Sequence, residues 1–305
     1  MQITVGITCY NNGDNISTVL SNVAHQALAD GDSIIEVLVV ASGCTDDTVE
    51  RVQAFAADER RTRLIVEDKR MGKPSAINKL TSQMRGDALL LLSGDIRIPQ
   101  NDFVANMVKI MGGPVAVVSC RPLPANCPHA PSGYVSGSMW GLHDKTLSAQ
   151  TKNHLFGHAG EAFAIKREAL EPVPSDIIND DAYLVLRAQQ KGFKVSYARD
   201  LIIRNRSPEG IGEMIRQRAR IIRGHSQLGE VLGVQPDVLD MLLFRRPLVA
   251  LGIVKTEVRE EIGKGIFRPD YFLLLLIMEA VAHGVAKIGS LDNRWTPAAS
   301  AKWLR

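Results

Sequence analysis

Apolar residues in the first hundred positions come in short runs, separated by turn-forming clusters and by helical repeats. Ile3–Cys9 reads as a strand, Tyr10–Asp14 as a polar turn, and Ile16, Val19, Leu20, Val23 and Ala27 as one helix face. The same alternation recurs. Ile34–Val40 predicts a second strand and Val49, Val52 and Phe55 a second helix. Leu64–Val66 predicts a third strand, and a helix through Ala76, Ile77 and Leu80 follows, opened by Pro74 near its first turn. Ala88–Leu92, five consecutive apolar residues, predicts a strand buried on both faces, ending in the small-residue turn Ser93-Gly94-Asp95. Strands alternating with helices in this way predict βαβ units and a mostly parallel sheet. Ligands of such sheets gather at the carboxyl ends of the strands, where Asp95 stands.

The second half is less regular. A helix is expected at Val104–Met111, strands at Val115–Ser119, Ala162–Ile165 and Phe193–Tyr197, and a helix at Asp180–Lys191 closed by Gly192. Residues 121–160, rich in Pro, Gly, Ser and His, are expected to form a long irregular rim loop. Within it His154 and His158 have i,i+4 spacing, but Phe156-Gly157 between them weakens a metal pair. On a helix from Ile211 to Arg223, Arg216, Arg220 and Arg223 form one stripe with Gln217 at its edge. Like charges in a stripe repel, and no glutamate intervenes between Glu213 and Glu230, so the stripe is a candidate anion site. The last eighty residues or so read as apolar helices, with Arg245-Arg246 among leucines and Phe272–Met278 uninterrupted. They are expected to lie in the plane of a membrane surface, or to pack on the core or on a second copy as a homodimer. The expected divisions are 1–205, 206–235 and 236–305.

Composition adds limits. The net charge of +3 hides an uneven distribution, with 15 Lys+Arg against 11 Asp+Glu in residues 206–305. Aromatics make up 5% of the chain and are not interleaved with the arginines, so a nucleic-acid platform is not expected. Cys9, Cys44, Cys120 and Cys127 form no CxxC pair and are read as reduced thiols of a cytoplasmic protein. Cys120, Cys127 and His129 lack a fourth zinc ligand at suitable spacing. Neither a signal peptide nor a spanning helix is expected. No GxGxxG follows the first strand, and Glu67 stands where a P-loop before Gly72-Lys73 would need glycine. The strand-end side chains must therefore bind the ligand.

Five collinear stretches resemble the family 2 glycosyltransferases of the GT-A fold. Val39–Thr48 is similar to the family's V-V-D-D-G-S-T-D-x-T turn, and Gly72–Asn78 to its G-K-x-x-A-L-N stretch. Ser93-Gly94-Asp95 occupies the D-x-D place, and Asn179–Leu184 that of (T)-E-D-x-x-L. Gln217–Ile221 with Arg223-Gly224 resembles Q-x-x-R-W and its R-G continuation. The chain departs from the pattern at Ser42 and Ser93, where acids are usual, and at Ile221, where the tryptophan of processive members stands.

The resemblance implies a GT-A core, Rossmann-like, with a helical C-terminal extension. It implies an inverting, non-processive transfer of one sugar from a nucleotide-diphosphate sugar to a hydroxyl of a glycan or lipid-linked acceptor, in polysaccharide or glycolipid synthesis. Asp181 would be the base beside Asp180, and Arg220, Arg223 and Gln217 would meet the leaving group. Asp95, with Ser93 and Gly94 in its loop, would hold Mg²⁺ or Mn²⁺, with His225 as a further ligand. Thr8, Tyr10, Asn11 and Ser42 would line the base and ribose pocket, Asp68 would hold the nucleoside, and Lys73 would approach the diphosphate or the donor sugar. Glu161 would contact the acceptor. A peripheral position on the cytoplasmic face of a membrane follows from the same reading. A sugar-phosphate nucleotidyltransferase and a non-catalytic sugar-nucleotide-binding protein are the alternatives.

Overall fold

The computed structural model describes residues 1–153, 155–288 and 299–303; His154 of the His154/His158 pair lies outside them. The strands are β1 (Gln2–Cys9), β2 (Ser33–Ser42), β3 (Thr62–Glu67), β4 (Ala88–Ser93), β5 (Val115–Pro124), β6 (Ala162–Lys166) and β7 (Lys194–Asn205). The helices are α1 (Ile16–Ala24), α2 (Thr48–Asp58), α3 (Lys73–Gln83), α4 (Phe103–Ile110), α5 (Pro131–Asn153), α6 (Asp180–Gln190) and α7 (Ile211–Leu232). Three more α-helices among the described residues are α8 (Leu239–Arg245), α9 (Pro247–Gly263) and α10 (Pro269–Ile288).

One seven-stranded sheet runs in the order β3-β2-β1-β4-β6-β5-β7. Its pairings are parallel except where β6 runs antiparallel to both β4 and β5. The alternating period of strands divides β4 between two cores. Ala88, Leu90 and Leu92 enter one cluster with β1 and α1, whereas Leu89 and Leu91 enter the other with α3 and α6. Five apolar residues in a row are thus the signature of a strand covered on both faces.

The expected loop at 121–160 is corrected by α5, a helix of 23 residues. Its glycines and serines depress helix propensity and blur its amphipathic pattern, so local reading favours a loop. Packing reverses that preference. A Cβ at Gly141 would come within 1.9 Å of the Glu257 carboxylate, so the small residue admits α9 against α5. Tyr134 and Ser138 both donate to Glu261 at 2.5 Å, and Asp144 accepts from Tyr197 at 2.7 Å and from Arg199 at 2.9 Å.

Above the sheet, α5, α7 and α10 share an apolar cluster of Val135, Met214, Leu275 and Met278, and α8 and α9 share another with α5. By length and composition α10 suffices to cross a membrane, which the sequence reading did not expect. One of its faces is packed on α7 through Ala282 and Ala286, and Arg218 pairs with Glu279 at 2.8 Å.

Candidate active site

Three parallel strand ends build the floor of the site. Thr8 of β1 lies level with Val40 of β2 and Ser93 of β4, so Tyr10, Ser42 and Asp95 emerge side by side. Because β6 is antiparallel to β4, its beginning lies at the same edge. Leu92 pairs with Ala162, and the Ser93 amide donates to the main-chain carbonyl of Glu161 at 3.1 Å. The Asp95 loop is held by Asn15, whose buried amide donates to the carbonyls of Gly94 at 3.1 Å and Ile96 at 2.7 Å.

These groups line one cavity of about 830 Å³. Of the sequence-predicted residues, Thr8, Tyr10, Ser42, Lys73, Ser93, Gly94, Asp95, Glu161, Asp180, Asp181, Gln217, Arg220 and His225 contribute to its wall. Three others do not. Asp68 is exposed, since β3 ends at Glu67 and the inward position falls on that residue, which accepts from Ser75 at 2.7 Å and pairs with Lys79 at 2.9 Å. Asn11, at φ 51°, accepts from the Thr45 amide at 2.7 Å and clamps two turns together. Arg223 reaches the Ala286 carbonyl on α10 at 3.5 Å. Arg216 is exposed, so the three-arginine stripe splits and Arg220 alone of it enters the cavity.

Lys73 pairs with Asp180 at 3.3 Å. Burial works against its charge, but Asp180, Asp181 and Glu161 hold its proton above the usual range. Burial pushes the Asp180 carboxyl upward, opposed by Lys73 and reinforced by Asp181. Asp95 is raised by burial in the same way, against the pull of Lys73. Glu161 is pushed up to about 7, by burial first and by Asp95 second, although Asn205 donates to it at 2.7 Å. Asp181 Oδ2 accepts from the Gly160 amide at 2.7 Å and the Ala159 amide at 3.3 Å, which fixes its carboxylate. Arg220 donates to the Ile178 carbonyl at 2.9 Å, and burial lowers its proton affinity.

Sequence reading missed several wall residues. Arg70 lies over the Tyr10 ring at 3.9 Å. Arg206 and Ser207 come from the end of β7, whose full length no local pattern marked. His143 and His158 are joined at 3.3 Å, and His158 stands 6.1 Å from the ring of His225. Burial holds His143 and His225 well below their usual range. His225 therefore belongs to a histidine cluster. Among the described residues no group of three or more His, Cys, Asp or Glu is arranged to hold a metal ion. Asp95 still fits one, since its buried Oδ1 has no hydrogen-bond partner among the described residues. A hard cation taking its other ligands from phosphates and water suits such an oxygen.

Residues 4–173 match the profile of Glycosyl transferase family 2, and residues 89–282 that of Glycosyl transferase family group 2. The chain is 25% identical over 205 residues to Glycosyltransferase AglD of Haloferax volcanii, a match covering 64% of this chain and 32% of that protein. It thus spans about a third of that relative's length. Among solved structures, a mannosyltransferase from Pyrobaculum calidifontis in complex with GDP-mannose and Mn²⁺ superimposes with a TM-score of 0.65 at 20% identity, covering 94% of this chain and 87% of the other. Glucosyl-3-phosphoglycerate synthase from Mycobacterium tuberculosis, in complex with Mn²⁺, UDP and glucosyl-3-phosphoglycerate, gives a TM-score of 0.52 at 18% identity, covering 76% of this chain and 80% of the other. These likenesses establish the GT-A fold.

Proposed function

The chain belongs to Glycosyl transferase family 2, and on that premise we propose that it is a metal-dependent, inverting transferase moving one sugar from a nucleotide-diphosphate donor to an acceptor hydroxyl. The observation that carries this reading is the convergence of Asp95, Asp181, Lys73 and Arg220 on one cavity. Asp181, oriented by two main-chain amides, takes the proton of the acceptor hydroxyl as that oxygen attacks the anomeric carbon. The bond from the anomeric carbon to the diphosphate oxygen breaks, and its electron pair leaves with the nucleotide. Arg220 and Lys73 offset the charge that develops there. Attack opposite the leaving group inverts the anomeric configuration. A divalent cation, Mg²⁺ or Mn²⁺, held by Asp95 would neutralise part of the diphosphate charge.

Tyr10 with Arg70 above it, Thr8 and Ser42 form the nucleoside end. Glu161, just before the antiparallel strand β6, faces the acceptor side. The exposed apolar face of the C-terminal helices supports attachment to a membrane surface, and with it a part in polysaccharide or glycolipid synthesis.

Release of nucleotide from a panel of UDP-, GDP-, dTDP- and CDP-sugars in Mn²⁺ tests the proposal. Turnover of one donor, abolished by Asp95→Ala and Asp181→Asn, is expected. Nucleotide binding without turnover of any donor would support a non-catalytic binding protein. An NMR assignment of retained anomeric configuration would remove the inverting mechanism.

A further inference from the structure

Asp181 is held from outside its own helix. Its Oδ2 accepts from the amides of Ala159 and Gly160, in the turn before β6. Residues 155–160 belong to no helix or strand, so these amides keep their place only if side chains hold the turn. The Gly157 amide donates to Gln189 Oε1 at 2.9 Å, and the Phe156 amide to the Asp237 carboxylate at 2.9 Å. His158, 7% exposed, is held at both ring nitrogens. Its Nδ1 lies 3.2 Å from Gln150 Nε2, and its Nε2 lies 3.3 Å from His143 Nδ1.

The direction of these bonds follows from Gln150. Its amide nitrogen also reaches the main-chain carbonyl of Asp237 at 3.1 Å. A carbonyl only accepts, so one hydrogen of the amide goes there and the other goes to His158 Nδ1. That nitrogen is therefore bare, and the proton of the His158 ring sits on Nε2 and is donated to His143 Nδ1. His143 in turn carries its proton on Nε2. Burial lowers the proton affinity of both rings and keeps each neutral, with one proton to place. His143 Nε2 is buried, has no hydrogen-bond partner among the described residues, and belongs to a ring in the cavity wall. One glutamine thus governs both the turn that grips Asp181 and a donor at the cavity.

Neutral buried hydrogen bonds add little net stability, because each replaces one made with water. What this chain of bonds supplies is direction. It admits one tautomer at each ring and one position for the turn.

We propose that Gln150 is a positioning residue of the reaction, acting through His158 to hold the turn that grips Asp181 and to direct the His143 Nε2–H toward the cavity. The assignment rests on the transferase reading and adds to that site a residue outside its wall.

The full chain labelled with ¹⁵N-histidine tests the relay, since bare and protonated ring nitrogens differ widely in chemical shift. Wild type should show a bare Nδ1 and a protonated Nε2 at both His143 and His158. A proton on His158 Nδ1 would overturn the assignment, whether or not any variant folds. Gln150→Glu keeps the shape but has no hydrogen to give, and should move a proton onto His158 Nδ1. Gln150→Met keeps the length of the side chain and makes neither bond. It should lower kcat for donor turnover about tenfold, with nucleoside diphosphate Kd in Mn²⁺ within about twofold of wild type. In an Asp181→Asn background the same substitution should change kcat by less than about twofold, because the group it positions is gone. A tenfold loss in both backgrounds would mark a structural role only and overturn the proposal, as would an unchanged kcat. Wild type that turns over no UDP-, GDP-, dTDP- or CDP-sugar, with the tautomers as assigned, would refute the transferase reading and with it the positioning role.

Discussion

The indole nitrogen of Trp303 donates to the main-chain oxygen of Asp95 at 2.6 Å. The amide of the same residue donates to Asp14 at 2.6 Å, and Arg97 stacks on its ring at 3.9 Å. Lys302 meanwhile reaches the carbonyl of Asn11, and its own carbonyl accepts from Arg206 at 2.7 Å. One short segment thus ties the turn after β1 to the loop after β4. Trp303→Ala should release both and raise the Kd for nucleoside diphosphate about tenfold, the loss of one cation–π contact and one part-buried hydrogen bond. Calorimetry at fixed Mn²⁺ measures this, and an unchanged Kd would make the contact irrelevant to donor binding.

Asp181 and Asp95 should fail in different ways. Asp181→Asn removes the proton acceptor but keeps the shape of the side chain. Its kcat should fall about 10²–10⁴-fold with nucleotide Kd within about twofold of wild type. Asp95→Ala should weaken nucleotide binding in Mn²⁺ yet match wild type in chelator, where neither protein holds a cation. Equal weakening under both conditions would remove Asp95 from cation binding.

Glu161 gives the site a pH signature. Its carboxyl is raised from 4.5 to about 7, so the folded chain holds this proton more tightly than the unfolded chain. Between about pH 4.5 and 7 the folded state binds more protons, and stability falls as pH rises; above about 7 the loss is complete. Glu161→Gln cannot ionise and escapes this loss. In cation-free buffer its stability relative to wild type should grow by roughly 1–3 kcal/mol across that window. Denaturant melts at a series of pH values check this, and a constant difference would place the proton elsewhere.

Gly224 permits a close approach between α7 and Asn179, the residue before α6. A Cβ there would meet Asn179 Cγ at 2.4 Å, and the Asn179 amide donates to the Ile221 carbonyl at 2.9 Å. Asn179 precedes Asp180 and Asp181, so displacing it moves both acids. Gly224→Ala should cost about 1–3 kcal/mol of stability and lower kcat by at least about tenfold. Thermal melts and donor turnover together separate these effects, and a stable, fully active variant would show that the contact yields freely.

The chain shows which parts of a fold are written locally. Ala88–Leu92 declares a doubly covered strand because each residue meets a core on its own side, and the period of a strand assigns those sides without further information. The turns after β1, β2 and β4 were legible for a similar reason. Short polar clusters between apolar runs have few conformations open to them, and parallel pairing brings their ends together. The alternation of strands and helices, the order of the motifs, and the acids Asp95, Asp180 and Asp181 were therefore readable from sequence.

What lies opposite a given face was not. Arg216, Arg220 and Arg223 share a stripe, but α7 meets solvent, the cavity and α10 in turn, so three similar side chains have three different fates. α5 forms against its local preference because α9, β7 and α10 arrive from more than fifty residues away to cover it. Trp303 reaches Asp95 across 208 positions. Sequence alone determined the strands, their polar ends and the acids carried there, through interactions among near neighbours. The tertiary structure decided which cation faces those acids, how far the cavity extends and what closes over it, because partners so distant in the chain leave no trace in any local window.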